Sequence, residues 1–335
     1  MFNLEIKGIG SYAPGEKITN LELKKLASIE FDHAKTEAKL GIYSRHNARL
    51  REIPETTADF GEKAAKAAIE SAGLKPSDID LFVVGTDTPE HISPASALII
   101  QGRVQGGETN GMAFDLAASC ASFTSAFHVV ANMMNSNPAI RNAVIIGIYN
   151  MPAFIKAGDA FGLSIFADGA GAIVLSQAPH GNSKYIGGQT MVDGTQWDYI
   201  GIYSGGSKKP ITHSMIDAGE YGLQNLKPLP GDRNVRLWPM VVSELVAKNN
   251  MKVSDVDHFI FTQINKNVIE KVMTALEQPM DKTTCVMDEF GYTGSACVPM
   301  AFNKAVQTGK VKRGDKVLFI ASGAGFAVAA NLFTY

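Results

Sequence analysis

Cysteine is scarce in this chain. Cys120, Cys285 and Cys297 are the only three in 335 residues, and no two stand at CxxC spacing. So odd and sparse a set argues against a disulfide framework or a zinc site, and it fits a reduced, cytoplasmic compartment. Net charge is also nearly missing. Thirty-one Lys and Arg against 33 Asp and Glu leave −2, with no basic footprint for a nucleic-acid partner. No apolar run reaches the roughly 18 residues of a membrane span. Nor do the first residues show a basic n-region followed by an apolar h-region, so neither a membrane anchor nor a signal peptide is expected. Low-complexity segments are lacking too. Apolar residues are abundant: 45% hydrophobic against 19% charged supports a large core and excludes a disordered chain. The length fits one large α/β unit or two fused ones.

Runs of β-forming residues at Leu81–Val84, Ala143–Ile148, Ala172–Leu175, Phe259–Thr262 and Val317–Ala321 read as strands. Helical patterns fall at Thr57–Ala72, Ala121–Met134 and Val235–Lys248. That alternation predicts α/β sheets held between helix layers. Gly187-Gly188 and Gly205–Pro210 read as connections. The chain also repeats itself. Lys75-Pro-Ser-Asp-Ile-Asp-Leu-Phe-Val-Val84 returns as Lys252-Val-Ser-Asp-Val-Asp-His-Phe-Ile-Phe261, and the same offset carries Cys120 onto Cys297. Val144–Ile148 matches Val317–Ala321 at nearly the same shift. Three matches in order predict a duplicated α/β unit, divided here into residues 1–178 and 179–335.

Cys120 stands in Asp115-Leu-Ala-Ala-Ser-Cys-Ala-Ser-Phe-Thr-Ser-Ala-Phe127, at the entrance to an apolar helix and among small neighbours that leave the sulfur approachable. A helix N-terminus favours the thiolate, by about one pH unit, towards 7.5. A small buried hydrophobe is the other reading of the same cysteine. Gly8-Ile-Gly10-Ser-Tyr-Ala13 fits G-x-G-x-x-A, but Pro14-Gly15 turns the chain away and Thr19-Asn20 caps the next helix, so no dinucleotide cofactor is expected. Asp87, Glu90 and His91 share one loop without a second ligand cluster, and no metal is expected there.

Asp115–Phe127 resembles the nucleophile segment of β-ketoacyl-acyl-carrier-protein synthase III, of the thiolase superfamily. The likeness runs through Gly8–Gly15, Gly41-Ile-Tyr-Ser-Arg45, Phe166-Ala-Asp-Gly-Ala-Gly-Ala172, Gly309–Leu318 and Ser322-Gly-Ala-Gly-Phe326. It implies a thiolase fold: duplicated α/β halves in an α-β-α-β-α stack. It implies an acyltransferase in which Cys120 takes an acyl group from acyl-CoA or acyl-carrier protein, whose phosphopantetheine is substrate rather than resident cofactor. It also implies an oxyanion hole from the N–H of Cys120 and the turn at Gly323 and Ala324. The substrate surface it implies comprises Ser93, His91, Asn265, Phe326 and Lys39.

Two positions depart from the family pattern. The family's histidine and asparagine fall, by resemblance, on Thr262 in Phe261-Thr-Gln-Ile-Asn265 and on Tyr292 in Gly291-Tyr-Thr-Gly-Ser-Ala296. Each hydroxyl donates one hydrogen bond, but neither is a base near neutral pH, so the imidazole's proton transfers are lost. His128 does not replace it, since it lies about 12 Å along the helix from Cys120. His213 is a candidate for a pocket lid, and Glu90 with His91 could deliver a base. The family's adenine-stacking tryptophan has no counterpart, Lys35 standing near its place. The resemblance to such altered relatives implies a carbon, oxygen or nitrogen acceptor and a role in specialised metabolism. The alternatives are a non-catalytic subunit paired with an intact relative and an ordinary synthase III. A homodimer is expected, because the family's loop around Glu90–Ser93 completes a neighbour's pocket; a heterodimer is the other possibility.

Overall fold

A computed structural model describes residues 3–178 and 183–335. The first sheet holds β1 (Leu4–Tyr12), β2 (Leu81–Gly85), β3 (Met112–Leu116), β4 (Asn142–Asn150) and β5 (Asp168–Gln177), in the order β1-β5-β4-β2-β3. The second holds β6 (Lys184–Gln196), β7 (His258–Phe261), β8 (Lys316–Gly323) and β9 (Gly325–Thr334), in the order β6-β9-β8-β7. β2 pairs parallel with β4 and β7 parallel with β8; β4–β5 and β8–β9 are antiparallel. One plan is therefore used twice. An isolated parallel bridge between Phe259 and Thr283 stands where β3 stands in the first sheet. The expected boundary at 178/179 abuts residues 179–182, outside the described residues.

The repeated Lys-x-Ser-Asp-x-Asp segment does the same work in both halves. Asp78 and Asp255 each accept the N–H of the lysine three residues back, at 2.8 Å, closing a short 3₁₀ turn. Two residues on, Asp80 accepts Asn142 N–H at 3.0 Å and Asp257 accepts Lys316 N–H at 2.8 Å, tying each strand to its neighbour. The sequence similarity is thus a hydrogen-bond requirement repeated.

Between the sheets lie α3 (Ser122–Ser136) and α6 (Cys297–Gln307), each packed against strands of both. Their small and apolar residues are buried on nearly every face, as a middle layer requires. α1 (Thr57–Ser71) and α2 (Ser96–Gln105) cover the first sheet; α4 (Arg233–Lys248) covers the second and packs on α5 (Lys266–Ala275). Asp59 accepts the Thr56 N–H at 2.8 Å and so closes the N-terminus of α1. α1 buries Phe60, Ala64, Ala68 and Ile69 while Lys63, Lys66 and Glu70 stay in solvent. β2 is buried at every residue, as a central strand covered on both faces should be.

The expected strands coincide with observed ones, except that Thr262 falls one residue past β7; the expected helices hold to within two residues at each end. Gly187-Gly188 is a correction. The pair lies inside the thirteen-residue β6, not in a connection. A side chain at Gly188 would sit 2.3 Å from His128 Nδ1 and 2.5 Å from the Tyr185 hydroxyl, so glycine here admits a neighbour rather than a turn.

Candidate active site

Cys120 is delivered by the short link from β3 to α3. Ser119 just before it is held in the left-handed region at φ 51°, rare for a residue with a side chain. Ser122 secures the bend: its hydroxyl accepts Ala118 N–H at 2.8 Å and donates to Ser119 O. The Gly323–Gly325 turn between β8 and β9 meets this link directly, since a Cβ on Gly323 would lie 2.1 Å from Ala118 O. Ser322 braces the turn. Its hydroxyl accepts Trp238 Nε1–H at 2.6 Å and donates to Asn234, and its N–H donates to Thr262 Oγ1 at 3.1 Å. The Thr262 hydroxyl proton remains to be given elsewhere.

Cys120 is half-buried and opens on a cavity of about 660 Å³. Thr262 and Tyr292, both 2% exposed, line it together with Tyr149, Asp87 and the Gly323–Gly325 turn. The Tyr149 and Tyr292 rings pack at 6.1 Å, and both phenol hydroxyls favour the ionised form of the sulfur. Apolar side chains such as Met151, Ile165, Ile200 and Ile264 form much of the remaining wall.

The thiol is not acidified, contrary to the helix-terminus argument. Burial, and then the Asp87 carboxyl, push Cys120 up to about 12, with the Tyr292, Ser119 and Tyr149 hydroxyls opposing. Desolvation of a sulfur among protein atoms exceeds what one helix end supplies. Burial likewise raises Tyr149 and Tyr292 well above 10, so both are donors. Cys120 is a thiol at rest.

The cavity brings together Cys120, Thr262, Tyr292, Gly323, Ala324, Asn265 and Lys39. Asn265 also caps α5, accepting Val268 N–H at 3.2 Å. Three expected residues fall outside this chain's cavity. Phe326 is buried beneath the Arg233 guanidinium, 4.3 Å from its ring centroid, because the chain re-enters a strand directly after the turn. His91 and Ser93 are exposed on a loop whose neighbour Ile92 is 85% exposed. Glu90 lies outside the cavity as well, where its carboxylate accepts the Thr56 hydroxyl and the Ala58 N–H at the start of α1. His213 is exposed on a short helix away from the cavity, and His128 bonds Tyr185 at 2.6 Å.

Four residues at the site went unassigned in the sequence reading. Tyr149 simply extends an apolar strand, so nothing marked it. Asp87 passed for a polar loop residue, and Ser119 for one of several small neighbours of the cysteine. Trp197, in a polar and glycine-containing stretch, lines the cavity while 54% exposed, with Lys208 Nζ 4.7 Å from its ring centroid.

Two family models match the chain: 3-oxoacyl-[acyl-carrier-protein (ACP)] synthase III over residues 114–194 and its C-terminal model over 246–335. The β-ketoacyl-[acyl-carrier-protein] synthase III of Alkalilimnicola ehrlichii is 33% identical, covering 98% of each chain. Among solved structures, 3-oxoacyl-[acyl-carrier-protein] synthase III of Aquifex aeolicus superposes with a TM-score of 0.86 at 25% identity, covering 100% of both chains. A priming β-ketosynthase from a polyketide biosynthetic pathway gives 0.84 at 26%, covering 99% of this chain and 96% of its own. The likeness extends over both sheets and through the segment that presents Cys120, and the chain therefore belongs to the 3-oxoacyl-[acyl-carrier-protein] synthase III family of thiolase-fold acyltransferases.

Proposed function

We propose that Cys120 takes an acyl group from an acyl-CoA or acyl-carrier-protein thioester and passes it to a carbon, oxygen or nitrogen acceptor. The observation that carries this reading is the half-buried sulfur at a cavity it shares with hydroxyl donors and the Gly323–Gly325 turn. The donor enters past Lys39, Trp197 and Arg233, whose charges and aromatic face suit a phosphorylated pantetheine arm. As the sulfur bonds the thioester carbon, the N–H groups of Cys120 and Ala324 receive the oxyanion. Thr262 and Tyr292 face the acceptor as donors and supply no base, which favours acceptors that bring their own nucleophilicity over malonyl decarboxylation. The similarity to a priming ketosynthase of polyketide synthesis supports a role in specialised metabolism. Asn265 serves as a pocket wall, and His91 and Ser93 serve a partner subunit's pocket through the exposed Ile92 loop. The half-exposed β3 at the end of its sheet suits a homodimer.

The test is intact-protein mass after incubation with acyl-CoA thioesters of graded length. A single acyl adduct, mapped to Cys120 and absent in Cys120→Ala, is the expected result. No adduct at any length with either coenzyme A or carrier-protein donors refutes the reading and leaves the non-catalytic subunit in its place. Carbon dioxide released from malonyl thioester, and lost in Thr262→Ala, would return the chain to ordinary synthase III chemistry.

A further inference from the structure

We propose that Asp87 is the terminal proton acceptor for Cys120, reached through the hydroxyl of Ser119. The three residues form a chain across the cavity wall. Ser119 Oγ donates to Asp87 Oδ2 at 2.9 Å and stands 3.8 Å from Cys120 Sγ. A serine hydroxyl has one proton and two lone pairs, so while it gives its proton to the carboxylate it can accept the one on sulfur. The left-handed backbone at Ser119 is what sets its side chain between the two. Asp87 Oδ1 is buried with no hydrogen-bond partner among the described residues, and the side chain has no cation beside it to neutralise the carboxylate. A carboxylate with one oxygen buried and unpartnered, and no cation beside it, is suited to take up a proton from a neighbouring nucleophile.

Elimination among neighbouring groups leads to the same residue. The titratable side chains facing this sulfur are Asp87, Tyr149, Tyr292 and Cys297. Burial raises the two phenols and Cys297, so none of them takes a proton near neutrality. Burial also pushes the Asp87 carboxyl up to about 6, with the Ser119 hydrogen bond opposing. A base with that affinity is ionised at neutral pH and still a useful acceptor. The relay also accounts for a nucleophile that is a thiol at rest: the proton leaves as the new bond forms.

The step balances. As Sγ bonds to the thioester carbonyl carbon, the carbonyl π pair moves onto oxygen. The sulfur proton passes to Ser119 Oγ and the serine proton to Asp87 Oδ2. When the tetrahedral adduct collapses, the carbon–sulfur bond to the donor breaks and its electron pair stays on the departing sulfur. That sulfur receives the Asp87 proton back along the same path. Asp87 touches no substrate atom; it acts through Ser119.

The inference rests on the acyl-transfer reading for its substrate, so its test has one arm that needs no thioester. Rates of Cys120 modification by iodoacetamide, followed by peptide mass, and of acylation by acyl-CoA are measured against pH. Wild type, Asp87→Asn, Ser119→Ala and the double variant are compared, each checked for an unchanged circular dichroism spectrum. An internal acceptor makes both wild-type rates fall about tenfold per pH unit below about pH 6 and stay level from there to about pH 8.5. In Asp87→Asn the plateau is replaced by a rise of about tenfold per pH unit, and acylation near pH 7 falls by about 10²–10⁴-fold. Ser119→Ala loses the plateau too, and the double variant is no slower than the slower single one. Wild-type rates that climb with pH as steeply as those of Asp87→Asn overturn the relay, as does a plateau that survives Ser119→Ala. A plateau with iodoacetamide but no acyl adduct keeps the relay and removes the proposed function. An acyl adduct without a plateau does the reverse.

Discussion

Asp168 offers a quantitative test of how this fold handles a buried carboxyl. It opens β5, and its side chain accepts Ala48 N–H at 2.7 Å, while Oδ1 is buried without a hydrogen-bond partner among the described residues. Burial lifts its pKa from 3.8 to about 7, with the Ala48 hydrogen bond opposing. The folded state therefore holds this proton over a range in which the unfolded chain has released it. With more protons bound in the folded state, stability must fall as pH rises between about 4 and 7. At about 1.4 kcal/mol per pH unit, the whole displacement is worth about 4 kcal/mol. Asp168→Asn is neutral throughout, so the difference in unfolding free energy between variant and wild type isolates this one group. His258, pushed down to about 4 by burial and by the Lys310 charge, makes stability rise with pH over about 4 to 6.5, but it cancels in that difference. The asparagine keeps the acceptor for Ala48 and adds an amide that lacks a partner, a constant cost of about 1–3 kcal/mol. Urea unfolding at pH steps from about 4.5 to 8 is the assay. The variant is expected to gain steadily on wild type, by several kcal/mol, as pH rises. A difference flat to within about 0.5 kcal/mol would mean that Asp168 is hydrated or paired in solution, and would refute the reasoning.

Other consequences are open to simple measurement. Gly188→Ala puts a methyl against His128 and Tyr185, and should lower stability by about 1–3 kcal/mol in chemical denaturation while the far-UV spectrum stays unchanged. Tyr292→Phe removes a hydroxyl that favours the ionised Cys120 sulfur, an effect of about 1 kcal/mol, and should slow iodoacetamide modification of Cys120 by about fivefold at constant pH. Of the two tryptophans, Trp238 is buried and Trp197 is half in solvent at the cavity, so acyl-CoA binding should change Trp197 emission. Trp197→Phe should abolish that signal and weaken binding by about 3–10-fold by calorimetry.

The internal repeat made the architecture legible before any coordinate. Lys75–Val84 and Lys252–Phe261 predicted a duplication because their aspartates meet one local need twice, and short-range hydrogen bonds of that kind leave a sequence trace. Cys120 was legible for a similar reason: small residues ahead of an apolar helix are a local pattern. The glycines of β6 misled, because a glycine that turns the chain and one that admits a neighbour look alike in sequence. Only packing against His128, 60 residues away in the chain, separates them.

The sequence by itself determined the duplicated α/β plan, a cysteine at 120 ahead of an apolar helix, and hydroxyl side chains at 262 and 292. Those properties reside in composition, periodicity and motif. Tertiary structure alone decided the electrostatics. It set Asp87, just past the end of β2, and Tyr149, near the end of β4, around a sulfur delivered by a third segment, and it packed protein atoms about all three. Proton affinity depends on what surrounds a group in space, and desolvation by distant segments outweighed the helix end beside which Cys120 sits.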